Sequence, residues 1–105
     1  MCNRELAYKV YAVLHGANVR NCGRPCFVPI DEIASTINKE LPDQYTTGKE
    51  VISSIENDPF RQKDMHGEKT GIRLFEYKLV NGIMTHAILP KHAFENLSQW
   101  DLFDN

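Results

Sequence analysis

The sequence predicts a small α+β protein in which helices come first and β-hairpins follow. Apolar residues recur every three or four positions in three segments of the first half, which is the spacing of a helix face that packs on a core. In the second half apolar and polar residues alternate, and Asn81-Gly82 is a strong two-residue turn signal. At 105 residues we expect one domain over 1–105, with a core over about 4–80 and a C-terminal extension over about 81–105.

Composition and charge restrict the classes of function. The hydrophobic fraction of 42% and the charged fraction of 25% are typical of a soluble globular protein. No apolar run approaches the roughly 20 residues needed to cross a bilayer, and no signal-peptide pattern begins the chain. We therefore expect a cytoplasmic protein that does not contact membranes. The formal charge of −2 argues against a protein that coats nucleic acid through an overall basic field.

The first helix is predicted from about Arg4 to Ala17, with Asn3 as its cap and its end near Gly16. The stretch 18–26 mixes Asn, Gly and Pro with two arginines, so it is predicted to be an exposed basic loop. Residues 26–29 then form a short strand that its final proline stops. The apolar face of the first helix contains Leu6, Val10, Val13, Leu14 and Ala17.

The second and third helices are separated by a short turn. The second is predicted from Ile30 to about Leu41, because Pro29 lies beside its first turn and Pro42 stops it. The third begins at an N-cap, Thr46 or Thr47, and ends at Asn57-Asp58-Pro59. Its core face is predicted to contain Val51, Ile52 and Ile55.

The second half is predicted to contain a hairpin, a third strand and a short helix. The hairpin strands are residues 60–65 and 72–79, with a flexible tip at 66–71. Leu74 and Phe75 would point to opposite faces of that strand, so one of them is exposed or covered by the C-terminal segment. A strand over 83–89 and a helix around 92–97 follow. The end is apolar enough to pack or dock, through Trp100, Leu102 and Phe103.

This order of elements resembles the winged helix-turn-helix superfamily from about Leu6 to Val80. The resemblance rests on Phe27-Val-Pro-Ile-Asp-Glu-Ile-Ala34, on Thr47-Gly-Lys-Glu-Val-Ile-Ser-Ser-Ile-Glu-Asn57, and on Phe60-Arg-Gln-Lys63 with Ile72-Arg-Leu-Phe-Glu-Tyr77. It implies a three-helix bundle with a β-hairpin wing, in which residues 46–57 enter the DNA major groove and residues 66–69 contact the backbone or the minor groove. The same fold also serves as a protein-docking module.

The leading hypothesis is a sequence-specific DNA-binding protein that regulates transcription. Helical periodicity points part of the third helix outward, and the wing adds three cations that could hold phosphates. Against this hypothesis, residues 45–78 carry six bases and six acids, so phosphate attraction is weak. A solvated helix face is the alternative reading. The candidate DNA-binding residues are Thr46, Lys49, Glu50, Ser53, Asn57, Arg61, Lys63 and Lys69.

The rival hypothesis is a protein-interaction module, such as a small inhibitor, adaptor or complex subunit, that does not bind DNA. It rests on the neutral wing, the net acidity and the apolar tail. Dimerisation through residues 90–105 is compatible with both hypotheses, since many helix-turn-helix proteins bind DNA as symmetric pairs.

Motifs for catalysis, metals and cofactors are weak or missing in the sequence. Cys22 and Cys26 are spaced for zinc, and Cys2 and His15 could complete four ligands, but structural zinc sites more often use two closer pairs. Three cysteines are better read as reduced thiols. No nucleophile motif, phosphate loop or metal-hydrolase helix occurs. We expect neither an enzyme nor a bound metal or cofactor.

Overall fold

The structure is a computed structural model that describes residues 2–102, and it is a mixed α+β fold, as the sequence predicts. Three helices precede the strands, apart from one short strand, and a short fourth helix follows them. The helices are α1 (Asn3–Arg20), α2 (Ile30–Glu40), α3 (Gly48–Glu56) and α4 (Lys91–Glu95), with a 3-10 turn at Leu97–Gln99. The strands are β1 (Val28–Pro29), β2 (Arg61–Lys63), β3 (Lys69–Arg73), β4 (Glu76–Val80) and β5 (Ile83–Ile88).

Helix α1 is longer than predicted at its C-terminal end. It continues past Gly16 to Arg20, because Asn18 is buried rather than part of an exposed loop. The Asn18 side chain donates to the Leu89 carbonyl at 2.9 Å and accepts from the Cys26 amide at 3.3 Å. These bonds satisfy a buried amide and hold the end of α1 against the sheet region. The predicted loop therefore begins three residues later.

The start of α1 also differs from the prediction. Cys2 occupies the N-cap position and makes no side-chain cap bond, whereas Asn3 is already helical. The Asn3 side-chain amide instead donates to the Asn57 carbonyl at 3.1 Å, so it links α1 to the end of α3.

Helices α2 and α3 lie where the sequence places them. Thr47 is the N-cap of α3, and with Glu50 it forms a capping box in which each side chain accepts from the other's backbone amide. The turn before the cap is fixed by Asn38, whose side chain bonds both the amide and the carbonyl of Thr46 at 2.7 and 2.8 Å. On α3, Val51 and Ile55 are buried as predicted, and Ile52 is half-buried.

The strands form two separate sheets, and the predicted strand 72–79 is broken. Strand β2 pairs with β3 alone, while β1, β5 and β4 form a three-stranded antiparallel sheet in that order. The break falls at Leu74 and Phe75, whose amides both donate to Oδ2 of Asp58 at 2.8 and 3.1 Å. Because the chain bends here, both side chains enter the core, and the expectation that they point to opposite faces is wrong.

The sheet β1-β5-β4 connects the short strand before α2 to the second hairpin. Val28 lies opposite Ala87 on β5, and Tyr77 on β4 lies opposite the same residue on the other side. The turn at Asn81-Gly82 has φ values of 53° and 77°, the left-handed pair that a two-residue hairpin turn requires. The predicted turn and the strand after it are therefore confirmed.

The C-terminal segment packs inside the fold up to Leu102, so of the two expectations for it, packing or docking, the described residues confirm packing and contradict docking. Trp100 and Leu102 are buried, and Trp100 bridges to Gln62 on β2. Arg4 of α1 donates to the Asp101 carbonyl at 2.6 Å. Phe103 and residues 104–105 lie outside the described residues. Over residues 2–102 the structure contains no helix that is both long and apolar enough to cross a membrane.

Candidate interaction surface

The predicted reading face of α3 is only partly available. Lys49, Glu50 and Ser53 are exposed, as helical periodicity predicts. Thr46 is only 3% exposed, because Asn38 holds it in the turn, so its prediction as an outward residue is wrong. Asn57 is exposed, but its amide already donates to the Ser53 carbonyl at 2.9 Å. Lys49 and Ser53 are the exposed residues of this face that do not occupy a capping position, and the Ser53 hydroxyl accepts from the Asn57 amide at 3.3 Å.

The three cations predicted to lie on the wing belong to hairpin β2–β3, and each of them interacts with the protein itself. The Arg61 guanidinium is half-buried and donates to the carbonyls of Asp58 and Phe60 at 2.5 and 2.7 Å. Lys69 Nζ lies 3.1 Å from Oδ2 of Asp101, an ion pair that does not have hydrogen-bond geometry. Lys63 is half-buried. The structure therefore does not bring these three cations together with Lys49 as one open phosphate-binding stripe.

Asp58 is the buried carboxylate that organises hairpin β2–β3. Its Oδ1 accepts from the Phe60 amide at 2.9 Å, while Oδ2 accepts from Leu74 and Phe75. Burial raises the pKa of the Asp58 carboxyl, and the three backbone bonds and the Arg61 charge oppose that rise. Position 58 was predicted only to end α3, because nothing local in the sequence indicates bonds to residues 16 and 17 positions away.

Asp101 is a second buried carboxylate beneath the same hairpin. Its Oδ1 accepts from the Arg61 amide at 2.8 Å, and the Asp101 amide donates to the Arg61 carbonyl at 3.2 Å. The C-terminal segment thus pairs with the edge of β2, and Lys69 reaches across from β3 to the same carboxylate. These contacts hold hairpin β2–β3 against the C-terminal segment.

The tip of hairpin β4–β5 differs from hairpin β2–β3, because it exposes aliphatic side chains to solvent. Leu79, Val80 and Ile83 are 58%, 55% and 63% exposed, and they surround the turn Asn81-Gly82. Val80 lies directly opposite Ile83 in the pairing register, so these two side chains share a face. We call these three residues the apolar tip. Sequence reasoning missed it, although the charge-free run Leu79-Val80-Asn-Gly-Ile83 was a visible signal.

A groove of about 390 Å³ separates the apolar tip from helix α3. Ile52 of α3 and Ile83 of β5 contribute apolar walls, and Lys49 and Asp31 add charges. Of the predicted site residues, Lys49 is therefore the one that lines the groove beside hairpin β4–β5. The arrangement combines exposed aliphatic side chains with a charged rim, as protein-binding surfaces do.

The candidate zinc ligands do not assemble into a site. Within residues 2–102 no three His, Cys, Asp or Glu side chains come close enough to hold a metal ion. Cys2, Cys22 and Cys26 form no disulfide. His15 instead packs between aromatic rings, with its centroid 5.6 Å from that of Tyr11 and 5.0 Å from that of Phe94.

Comparisons of this chain with protein-family models, with curated proteins and with solved structures find no match.

Proposed function

We propose that this chain is a protein-interaction module with a winged-helix arrangement, in which hairpin β4–β5 takes the position of the wing. Strand β5 pairs directly with β1, the short strand that leads into α2, whereas β2 and β3 pair only with each other. Hairpin β4–β5 also borders the groove beside α3. Hairpin β2–β3 is then an additional element between α3 and the wing.

The observation that carries this proposal is the apolar tip. Large aliphatic side chains at a hairpin tip gain about 25 cal/mol for each square ångström of apolar surface that a partner removes from water. DNA offers mainly phosphates at such a tip, and no Lys or Arg occurs between Leu79 and Ile83. The partner that fits is a protein segment with aliphatic or aromatic side chains that fill the groove beside Ile52.

The proposal is tested by capturing partners on immobilised wild-type protein and on two variants. Ile83→Asp places a charge in the apolar tip, whereas Ile72→Asp places the same charge on an exposed aliphatic residue of hairpin β2–β3. A stoichiometric protein partner should survive nuclease treatment, bind the Ile72→Asp variant and be lost with Ile83→Asp. The purified partner should then reproduce this order in titration.

Equal binding of that partner by both variants would contradict the proposal, because the apolar tip would then contribute no more than the other hairpin. Both variants should keep the wild-type far-ultraviolet spectrum, since each position is exposed.

A second candidate is sequence-specific DNA binding by a transcriptional regulator, which the exposed polar side chains of Lys49 and Ser53 favour. This candidate predicts a salt-dependent mobility shift of double-stranded DNA fragments. Lys49→Ala should weaken that shift on every sequence, whereas Ser53→Ala should change the sequence preference. The absence of a shift at low salt would remove this candidate and leave the protein-interaction proposal in place.

A further inference from the structure

We propose that strand β4 binds a second copy of this chain, by antiparallel pairing in which Tyr77 lies opposite Tyr77 of the second copy. The inference rests on the proposed function, since it names one partner for the same hairpin. It would bring residues 76–78 of the two chains side by side, so that the two three-stranded sheets meet at their β4 edges. The pairing stops there, because Phe75 lies at the bend where its amide donates to Asp58.

The first support is the open edge of β4. In the sheet order β1-β5-β4 it is the terminal strand, and no strand in the described part of the chain pairs with its outer edge. All five of its residues, Glu76–Val80, are exposed. An edge strand presents unpaired amides and carbonyls that a further strand can bind.

The shape of β4 also suits pairing. Natural edge strands often avoid association through a proline, a bulge or a lysine. Strand β4 contains no proline, and its one lysine, Lys78, lies opposite Glu76 in the proposed register. The one irregularity in its register with β5 places the extra residue, Thr85, on β5. Strand β4 is therefore regular over its length and keeps an alternating pair of faces.

The second support is charge complementarity in one particular register. When Tyr77 lies opposite its own copy, Glu76 of each chain lies opposite Lys78 of the other, which gives two opposite-charge pairs. A register centred on Lys78 would place two ammonium groups opposite each other. A register centred on Leu79 would place Lys78 opposite Val80 and leave both charges unpaired.

The third support is the apolar face of β4. Tyr77 lies opposite buried Ala87 and Leu79 lies opposite buried Met84, so both side chains lie on the core side of the sheet. Both remain about half exposed. The proposed register brings the two tyrosines together across the junction, where aromatic pairs stabilise a sheet.

The same register changes one contact within the chain. Lys78 Nζ lies 4.1 Å from the centroid of the Phe27 ring. In the dimer the Lys78 ammonium moves from this ring towards Glu76 of the second copy. Exposed cation–π contacts are weak, so the two opposite-charge pairs and the buried tyrosines outweigh the loss.

Cysteine cross-linking tests the register directly. In a background with Cys2, Cys22 and Cys26 replaced by serine, Tyr77→Cys should form a disulfide-linked dimer in oxidised glutathione. Directly opposite residues of antiparallel strands have Cα atoms about 4.5–5.5 Å apart, a separation that a disulfide spans. The matched controls are Lys78→Cys and Val80→Cys, which lie on the same exposed strand but not opposite themselves.

The expected result is at least about tenfold faster cross-linking of the Tyr77→Cys variant than of either control at equal protein concentration. Equal rates for the three variants, or faster cross-linking of Lys78→Cys, would overturn the proposed pairing.

Sedimentation equilibrium tests the charge complementarity. Glu76→Lys and Lys78→Glu should each raise the dimer dissociation constant about tenfold, because each variant places like charges opposite one another. The double variant Glu76→Lys/Lys78→Glu should restore a constant near that of the wild type, since it exchanges the two partners of each pair.

A wild-type protein that remains monomeric up to about 1 mM would overturn the pairing. That outcome leaves the proposed function intact, because the Ile83→Asp comparison tests binding of a different partner. Conversely, a dimer with this register combined with partner binding that ignores Ile83→Asp would contradict only the proposed function.

Discussion

The two hairpins of this protein have similar lengths, but they differ in which side chains contact the protein and which are exposed to solvent. In hairpin β2–β3 two cations bond to the protein itself, since Arg61 and Lys69 contact two buried aspartates or their neighbours. In hairpin β4–β5 the aliphatic residues of the apolar tip face solvent. Cations in a hairpin therefore do not by themselves indicate a phosphate-binding wing. Their internal partners must be known first.

The difference follows from what covers each hairpin. The C-terminal segment bridges to β2 through Gln62 and Trp100, and Arg4 ties that segment to α1. Among the strands of residues 2–102, β4 has a neighbour on one edge only. We therefore expect substitutions in hairpin β2–β3 to lower the stability of the protein, and substitutions at the apolar tip of hairpin β4–β5 to affect binding with little change in stability.

The largest expected effect is on Asp58. Asp58→Ala leaves the buried amides of Phe60, Leu74 and Phe75 without their acceptor, so we expect the free energy of unfolding to fall by about 3–4 kcal/mol. Urea denaturation measures the change. The control Asp43→Ala removes an exposed carboxylate and should change stability by less than about 0.5 kcal/mol. Equal effects of the two substitutions would contradict the bracing role of Asp58.

The next largest effect is expected at Asp101, and it is compared with the effect of removing the Lys69 ammonium that pairs with Asp101. Asp101→Ala removes a buried acceptor of the Arg61 amide, and we expect a loss of about 2 kcal/mol. Lys69→Ala should lose less than about 1 kcal/mol, because the Lys69 side chain is 59% exposed and water screens its charge. The measurement is again urea denaturation. A larger loss for Lys69→Ala would mean that the ion pair, and not the backbone bond, braces the hairpin.

A smaller effect is expected at the turn of hairpin β4–β5. Gly82 has a φ of +77°, so Gly82→Ala should destabilise the protein by about 1 kcal/mol. The matched control is Gly71→Ala in β3, where the glycine has an ordinary φ and an added Cβ would meet no atom within 4 Å. Thermal unfolding of both variants provides the comparison, and a loss at Gly71 as large as that at Gly82 would refute the turn argument.

The smallest effect on stability is expected at the apolar tip. Ile83→Ser should change the free energy of unfolding by less than about 0.5 kcal/mol, because Ile83 is already largely exposed. A control substitution in the core, Ile33→Ser, should destabilise by several kcal/mol, about 3 or more. If Ile83→Ser were strongly destabilising, the tip would be part of the fold and not an open surface.

Local signals in the sequence predicted much of the fold. Pro29 and Pro42 bound α2, Thr47 with Glu50 marks the start of α3, and Asn81-Gly82 marks the second hairpin. Each of these signals acts within a few residues of the chain, so it can be read without tertiary structure.

The parts that sequence reasoning missed depend on distant contacts. The break at Leu74 requires Asp58, the last turn of α1 requires Asn18 to reach Leu89, and burial of the C-terminal segment requires Arg4. The predictions for the candidate site were the least accurate, because the partners of a side chain decide whether a cation such as Arg61 is available to bind a ligand. Periodicity correctly placed Lys49 and Ser53 outside, but it could not show that Thr46 lies in a buried turn.

The most direct test of the central claim is the concentration dependence of backbone amide chemical shifts in the isotope-labelled protein. The claim is that hairpin β4–β5 is the binding surface and hairpin β2–β3 is structural. We predict that the amides of Glu76–Val80 shift as the protein is concentrated, whereas those of Arg61–Lys63 and Lys69–Arg73 keep their positions. Shifts confined to β2 and β3 would contradict this claim, and no shift in either hairpin would overturn the pairing of β4 with a second copy.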